Sequence, residues 1–385
     1  MKKQLGLFLW LLLLTPLTQA ANYFTISPYT LKADNGDIHL KFQTNKPLKL
    51  NISIFRQDDP SSIDAVKIVE AYPKQLVSLN LGRQSCDNNL GYTMTAQNEA
   101  IKEKLITTNL PAFECHLYDE FTFGFISDSQ QSPKNHKKIA RIITKQLEKT
   151  KVNFILHTGD ITHKGGENHR WLNFFDVAKT YLQGRPIIAA IGNHAYWEDK
   201  KNRPLPGNFK KYMRWGGAKK IGYMTTLYPN FQLVILNSTF EMLTDSENEQ
   251  QIQWLEKTLK EAALENLTVI VAMHYPPYSS SYFINTKQAK FLQTKFVPLF
   301  EKYGVKLVLN GHTHVYERSF KDGVHYVIAG PAGGTRAIPL GRNPYQVFGD
   351  FLSRTFTTVT VKKDHIFLKT FDQKNQQIDK LKIEL

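Results

Sequence analysis

Acidic residues are in short supply: 34 Asp and Glu face 49 Lys and Arg, a formal charge of +15 over 385 residues. The lysines are spread along the chain, and no zinc finger, basic helix or other nucleic-acid module is visible, so the excess describes a field that attracts anions in general. Cysteine is scarcer still, with Cys86 and Cys115 alone. That leaves room for one disulfide and offers no thiolate site for a metal. Beyond the N-terminus no apolar run reaches the ~18 residues that crossing a bilayer demands. Internal repeats and low-complexity tracts are also absent. With 42% hydrophobic and 22% charged residues, the remainder reads as a water-soluble globular chain, long enough for two domains.

The first twenty residues stand apart. Lys2 and Lys3 precede an apolar run, Leu5 to Leu14, broken only by Gly6 and ended by Pro16. Thr18-Gln19-Ala20 then supplies small residues for cleavage. Residues 1–20 read as a secretory signal peptide, the alternative being an anchor that is short for a span. A secreted or periplasmic location is expected. Without the two signal lysines the charge is +13, from +15 less Lys2 and Lys3. In an oxidising space Cys86 and Cys115 are expected to bond to each other, against the alternative of two buried free thiols.

From 21 to 120 the chain is strand-like. Ile38–Phe42 and Leu50–Ile54 alternate apolar and polar residues, and Asn35-Gly36-Asp37 signals a turn. A small all-β sandwich of fibronectin III-like kind is expected there, with Ala96–Lys104 helical or loop-like. From 121 to 385 short apolar runs alternate with amphipathic ones. Strands are predicted at Phe121–Ile126, Val152–Leu156, Pro186–Ile191, Leu233–Leu236, Leu267–Met273 and Val305–Leu309. Helices are predicted at Ile139–Leu147, Trp171–Leu182, Glu249–Leu264 and Ala289–Tyr303. Two strands, Phe356–Val361 and Ile366–Phe371, close the chain. The class is α/β, a two-sheet α/β sandwich preceded by the all-β domain.

Five of these strands share one property. Each is followed by Asp, Asn or His: Asp128, Asp160, Asn193 with His194, His274, and His312 with His314. In α/β sheets ligands bind beyond the carboxyl ends of strands, so these five loops are expected to converge. Two carboxylates, an amide oxygen and several imidazoles suit Fe, Zn or Mn. They are too many for one tetrahedral zinc and fit two ions sharing a bridge. Gly159, Gly192 and Gly311 allow the backbone to approach such ions. Taken singly, Gly-Asp reads more easily as a turn and Gly-Asn-His as a loop, His274 fits a satisfied core histidine equally well, and Gly-His-x-His is the sharper signal.

The blocks Asp128-Ser129-Gln130, Gly159-Asp160-Ile161-Thr162-His163, Gly192-Asn193-His194-Ala195, Met273-His274 and Gly311-His312-Thr313-His314 resemble those of the calcineurin-like metallophosphoesterases. The continuation Val315-Tyr316-Glu317-Arg318-Ser319 is similar to a run in the purple acid phosphatases. The resemblance implies a first metal on Asp128, Asp160 and His314, and a second on Asp160, Asn193, His274 and His312. It implies a phosphorylated substrate, in-line attack by a metal-bridging hydroxide, charge stabilisation by Asn193, and His194 as proton donor. His163 stands where those phosphatases carry the tyrosine that colours them; it either ligates the first metal or faces solvent. Gln130 stands where other relatives carry a histidine, and its amide oxygen offers a weak ligand that would complete the first metal site. Ala195 replaces an acidic residue. Trp197, Tyr212 and Trp215 either stack on a substrate or pack beneath a loop. Tyr316 and Arg318 either line the pocket or form a buried structural pair. A phosphomonoesterase is the leading expectation. A phosphodiesterase for nucleotides or lipid head groups, and a non-catalytic protein that binds anionic surfaces, are the rivals.

Overall fold

The computed structural model describes residues 23–32, 37–56, 63–83, 90–98, 101–109, 120–199, 205–214, 222–228, 231–283 and 285–385. The signal segment, Cys86, Cys115, Trp215 and most of the Asn35–Asp37 turn lie outside them. Among the described residues no helix is long and apolar enough to cross a membrane.

Seven strands come first: β1 (Phe24–Lys32), β2 (Asp37–Thr44), β3 (Leu48–Arg56), β4 (Ile63–Ala71), β5 (Leu76–Arg83), β6 (Leu90–Asn98) and β7 (Ile101–Asn109). The described residues of this region are all-β, as the alternation implied. Ala96–Lys104 is not helical, however. Its described residues belong to β6 and β7, which pair antiparallel from Gly91↔Asn109 to Asn98↔Ile101. Strand β6 alternates, with Tyr92, Met94 and Ala96 buried, but Gln97-Asn98 and Lys102-Glu103-Lys104 interrupt the apolar signal from Ala96 onward.

After residue 120 strands and helices alternate: β8 (Glu120–Ile126), α1 (Pro133–Leu147), β9 (Ile155–His157), α2 (Asn168–Leu182), β10 (Pro186–Ala189), α3 (Gly207–Met213), β11 (Met224–Tyr228), β12 (Phe231–Ile235), α4 (Asp245–Leu264), β13 (Thr268–Ala272), α5 (Lys287–Lys295), α6 (Val297–Lys302) and β14 (Leu307–Asn310). Six strands finish the chain: β15 (Tyr316–Lys321), β16 (Val324–Ile328), β17 (Gln346–Asp350), β18 (Thr355–Lys362), β19 (His365–Asp372) and β20 (Gln377–Glu384). Helix α1 begins earlier than its apolar stripe because Ser132 caps it, accepting from the Asn135 N–H at 3.2 Å, and Pro133 fits the first turn. The single helix expected over Ala289–Tyr303 is two. Pro298 has no N–H to continue the ladder, and the break falls at Phe296.

A nine-stranded sheet runs β20-β19-β18-β8-β9-β10-β1-β2-β5, and a seven-stranded sheet runs β11-β12-β13-β14-β16-β15-β17. Strands β8, β9, β10 and β1 are mutually parallel, as are β12, β13, β14 and β16. Period-2 alternation sorts the second sheet's side chains. Leu233, Ile235, Ile270 and Leu309 face the core shared with the first sheet, while Val234, Val269, Val271 and Val308 face a second core that includes Leu255 and Phe300 of the helices. The layers are therefore helix, sheet, sheet, helix. Phe121, Phe123, Phe154, Tyr228 and Phe231 bridge the two sheets, with ring centroids 4.6–5.9 Å apart. Each such pair adds about 1 kcal/mol beyond its buried area.

The N-terminal strands do not form a self-contained sandwich. Strands β3, β4, β6 and β7 make their own four-stranded sheet, but β1, β2 and β5 extend the nine-stranded one. Thr30 and Leu31 pair in parallel with Pro186 and Ile187 of β10. A local apolar pattern says that a strand is half-buried, not which sheet it joins.

Candidate metal centre

The carboxyl ends of β8, β9, β10, β13 and β14 bring Asp128, Asp160, Asn193, His274, His312 and His314 together. Three of these strands belong to one sheet and two to the other. Four of the residues, Asp128 (φ 52°), Asp160 (52°), His312 (73°) and His314 (55°), have left-handed backbone. Side chains other than glycine rarely pay that steric cost in repetition, and such outliers cluster at functional sites. Close approach at the glycines is equally direct. A Cβ on Gly192 would lie 2.3 Å from Asp160 Oδ1, and one on Gly311 1.9 Å from Ser127 Oγ and 2.6 Å from Asp128 Oδ2.

The hydrogen bonds aim the ligand atoms. His274 Nδ1 donates to the Thr158 carbonyl at 2.8 Å, which leaves Nε2 of the neutral ring as a lone pair. That lone pair faces Asn193 Oδ1 at 3.1 Å and Asp160 Oδ2 at 3.1 Å. Three acceptors thus converge in a buried space, and only a proton or a metal cation relieves them. Burial opposes a charge on His274, but the Asp160 carboxylate outweighs it and pushes the ring up to about 9. His312 completes this group; one ligand atom from each of Asp160, His274 and His312 lies within 4.8 Å of the others. Burial pushes His312 down to about 3, so it is a neutral imidazole.

A second group adjoins the first. His314 Nδ1 donates to the Thr335 carbonyl, which turns Nε2 toward Asp128 Oδ1 at 3.5 Å. The Gln130 amide is best satisfied with its nitrogen on the Asp160 and Asp128 carbonyls, at 2.8 and 3.2 Å, and its oxygen 3.0 Å from His314 Nε2. Asp128 also accepts from the His312 N–H at 2.9 Å. Burial works against both carboxylates, yet the facing histidines hold Asp128 and Asp160 below the usual range. Hard oxygen donors and imidazoles without thiolate suit Fe, Zn or Mn, and ring nitrogens aimed by backbone carbonyls are the arrangement metal ligands require.

The remaining residues fall beside this centre. The His194 N–H donates to Asp160 Oδ1 at 2.9 Å, and its ring Nδ1 donates to the His163 carbonyl at 2.6 Å. Nε2 then stands 3.7 Å from Asp160 Oδ2. Ala195, lacking an acid, is buried against Gly165, so the His163 carbonyl orients the ring instead. The His163 ring lies 4.9 Å from that of His194 and 5.2 Å from that of Trp197. Trp197 itself sits 3.8 Å from the His194 ring, half exposed at the mouth. Tyr212 is buried against Trp171. Tyr316 and Arg318 form the structural pair: both donate to Asp379 Oδ2 of β20 at 2.9 Å and tie one sheet to the other. His157 is structural as well, held neutral by burial and placed 2.9 Å from Ser129 Oγ.

Sequence reasoning passed over Gly333 and Gly334, whose N–H groups both donate to the Asp128 carbonyl at 2.9 Å. A Cβ on Gly334 would lie 2.6 Å from the His314 ring. The Gly330-Pro-Ala-Gly-Gly run was the available signal. Tyr275, Tyr282 and Phe283, which ring His312 with centroids 4.4–5.6 Å away, had no signal of comparable kind.

A family model described as calcineurin-like phosphoesterase matches residues 121–316, just over half of the chain. A purple acid phosphatase of Glycine max is 27% identical over 212 residues, covering 52% of this chain and 44% of its own length. The chain therefore spans less than half of that relative. Two solved structures show the same fold. Purple acid phosphatase PPD1 from yellow lupin has a TM-score of 0.71 at 15% identity, over 93% of this chain and 74% of that one. PhoD has 0.69 at 13% identity, over 93% and 92%.

Proposed function

This chain belongs to the calcineurin-like phosphoesterase family, and from that premise we propose that it is a dinuclear-metal phosphatase acting on phosphomonoesters outside the cytoplasm. One observation carries the reading: the convergence of Asp160, Asn193 and His274 lone pairs on a single point, with the Asp128–Gln130–His314 group beside it. By the family resemblance the Asp160 carboxylate would be shared between the two groups. Bound there, two ions would supply an acidified water and neutralise phosphoryl charge.

The chain's own residues do the rest. Asn193, whose Oδ1 lies 3.1 Å from His274 Nε2, would stabilise charge on the phosphoryl oxygens. His194 carries its Nδ1 hydrogen toward a carbonyl, so Nε2 bears a proton only when the ring is cationic. In that form Nε2 can protonate the leaving oxygen. The leader-like residues 1–20 support export. Assay of a phosphomonoester and a phosphodiester, with and without added Mn, Fe or Zn, tests the reading. Metal-dependent monoester turnover is expected. Turnover of the diester alone moves the assignment to a phosphodiesterase, and no turnover with any metal overturns catalysis in favour of surface binding.

A further inference from the structure

Next to the metal centre the surface is unusually apolar. Tyr282 is 44% exposed, Ile338 66%, Leu340 63% and Leu352 73%. These are not scattered. The Leu340 N–H donates to the Ser280 carbonyl at 2.8 Å, Ser281 Oγ donates to the Ile338 carbonyl at 3.2 Å, and Arg336 reaches the Leu352 carbonyl. The same loops grip the centre: Ala337 N–H donates to the His314 carbonyl, and Tyr282 OH to that of His312. Buried Glu317 anchors them from below, accepting from Ser279 Oγ, Ser280 N and Oγ, and Asn343 Nδ2 at 2.8–3.2 Å.

Basic side chains predominate along the loops that carry the apolar patch, with the carboxylate of Asp350 at their edge. Residues 323–349 contain Arg336 and Arg342 and no Asp or Glu; residues 266–300 contain Lys287, Lys290 and Lys295 and again none. Asp350 closes the first stretch but is occupied by Leu352 N, Ser353 N and Ser353 Oγ. Exposed aliphatic and aromatic tips beside arginines fit a surface with an apolar interior and anionic head groups.

We infer that this rim docks the protein on an anionic lipid bilayer, and that the substrate is a phosphorylated head group presented at that surface. The second half rests on the phosphoesterase reading; the first does not.

The test is cosedimentation of the full chain with vesicles of phosphatidylcholine alone or with phosphatidylserine. Ile338→Ser/Leu340→Ser and Arg336→Gln/Arg342→Gln are compared with the wild type after a thermal melt shows all three folded. Binding is expected on the phosphatidylserine vesicles, weakened by salt. It should fall about 25-fold in the double arginine variant, at about fivefold per charge, and at least as much in the aliphatic variant. Hydrolysis of a small soluble phosphomonoester should stay unchanged in both. Wild-type protein that ignores anionic vesicles, or variants that bind like wild type, would overturn the docking. Docking without hydrolysis of any ester would instead remove the catalytic reading and leave the docking standing.

Discussion

At the scale of single residues, the hydrogen-bond direction at each imidazole carries the most information. His194→Ala should slow esters with poor leaving groups by roughly 10²–10⁴-fold and activated aryl esters much less. The readout is the slope of log kcat/KM against leaving-group pKa, and an unchanged slope would count against the acid role. His136 makes a different prediction. It is buried, stacked on Phe174 and placed 2.9 Å from Tyr181 OH. Burial first, and then the neighbouring His157, lowers it from 6.5 to about 3. Between those values the unfolded chain takes up a proton that the folded chain refuses. Its contribution is thus complete above pH ~6.5 and is lost as pH falls, by about 1.4 kcal/mol per unit. His136→Gln, measured by urea unfolding from pH 7 to 4, should fall less steeply than wild type. Gly311→Ala, which drives a methyl against Ser127 and Asp128, should weaken metal binding about 10–100-fold by titration calorimetry while the fold persists.

At the scale of elements, legibility followed burial. Strands buried on both faces, such as Val269–Ala272 and Leu307–Leu309, showed as unbroken apolar runs, and the polar residue after each was plain in the text. The site was therefore readable as a set of residues. Its geometry was not. Nothing local in Thr158 or Thr335 says that its carbonyl will fix the tautomer of a distant histidine. The late strands β15, β17 and β20 were missed because Tyr316–Lys321 and Gln377–Glu384 mix charge into the alternation. Arg318 is tolerated there only because Asp379 lies opposite. The strand β1 was legible but its partner was not. Its parallel pairing with β10 implies that a chain begun at residue 121 leaves the β10 edge and buried Ile187 and Ile188 bare. Such a chain should aggregate, as sedimentation velocity would show, whereas an independent catalytic domain would stay monodisperse.

At the scale of the whole molecule, the centre joins what the core has already joined elsewhere. The aromatic contacts of Phe121, Phe123, Phe154 and Phe231 hold the sheets near the strand starts, and the ligands meet at the strand ends. Saturating metal at 100 times its Kd should stabilise the fold by about 2.7 kcal/mol, raising Tm by several degrees. Scanning calorimetry with Mn, Zn or a chelator would measure it, and an unmoved Tm would deny a specific site. Each ligand group draws on both sheets: Asp128 and Gln130 against His314, Asp160 and Asn193 against His274 and His312. Ions seated there act as rivets through two plates whose far edges are glued by aromatic rings. Stripping them would do more than halt turnover. It would let the plates part at the mouth first, so a pulling force or a protease would find its opening where the substrate does.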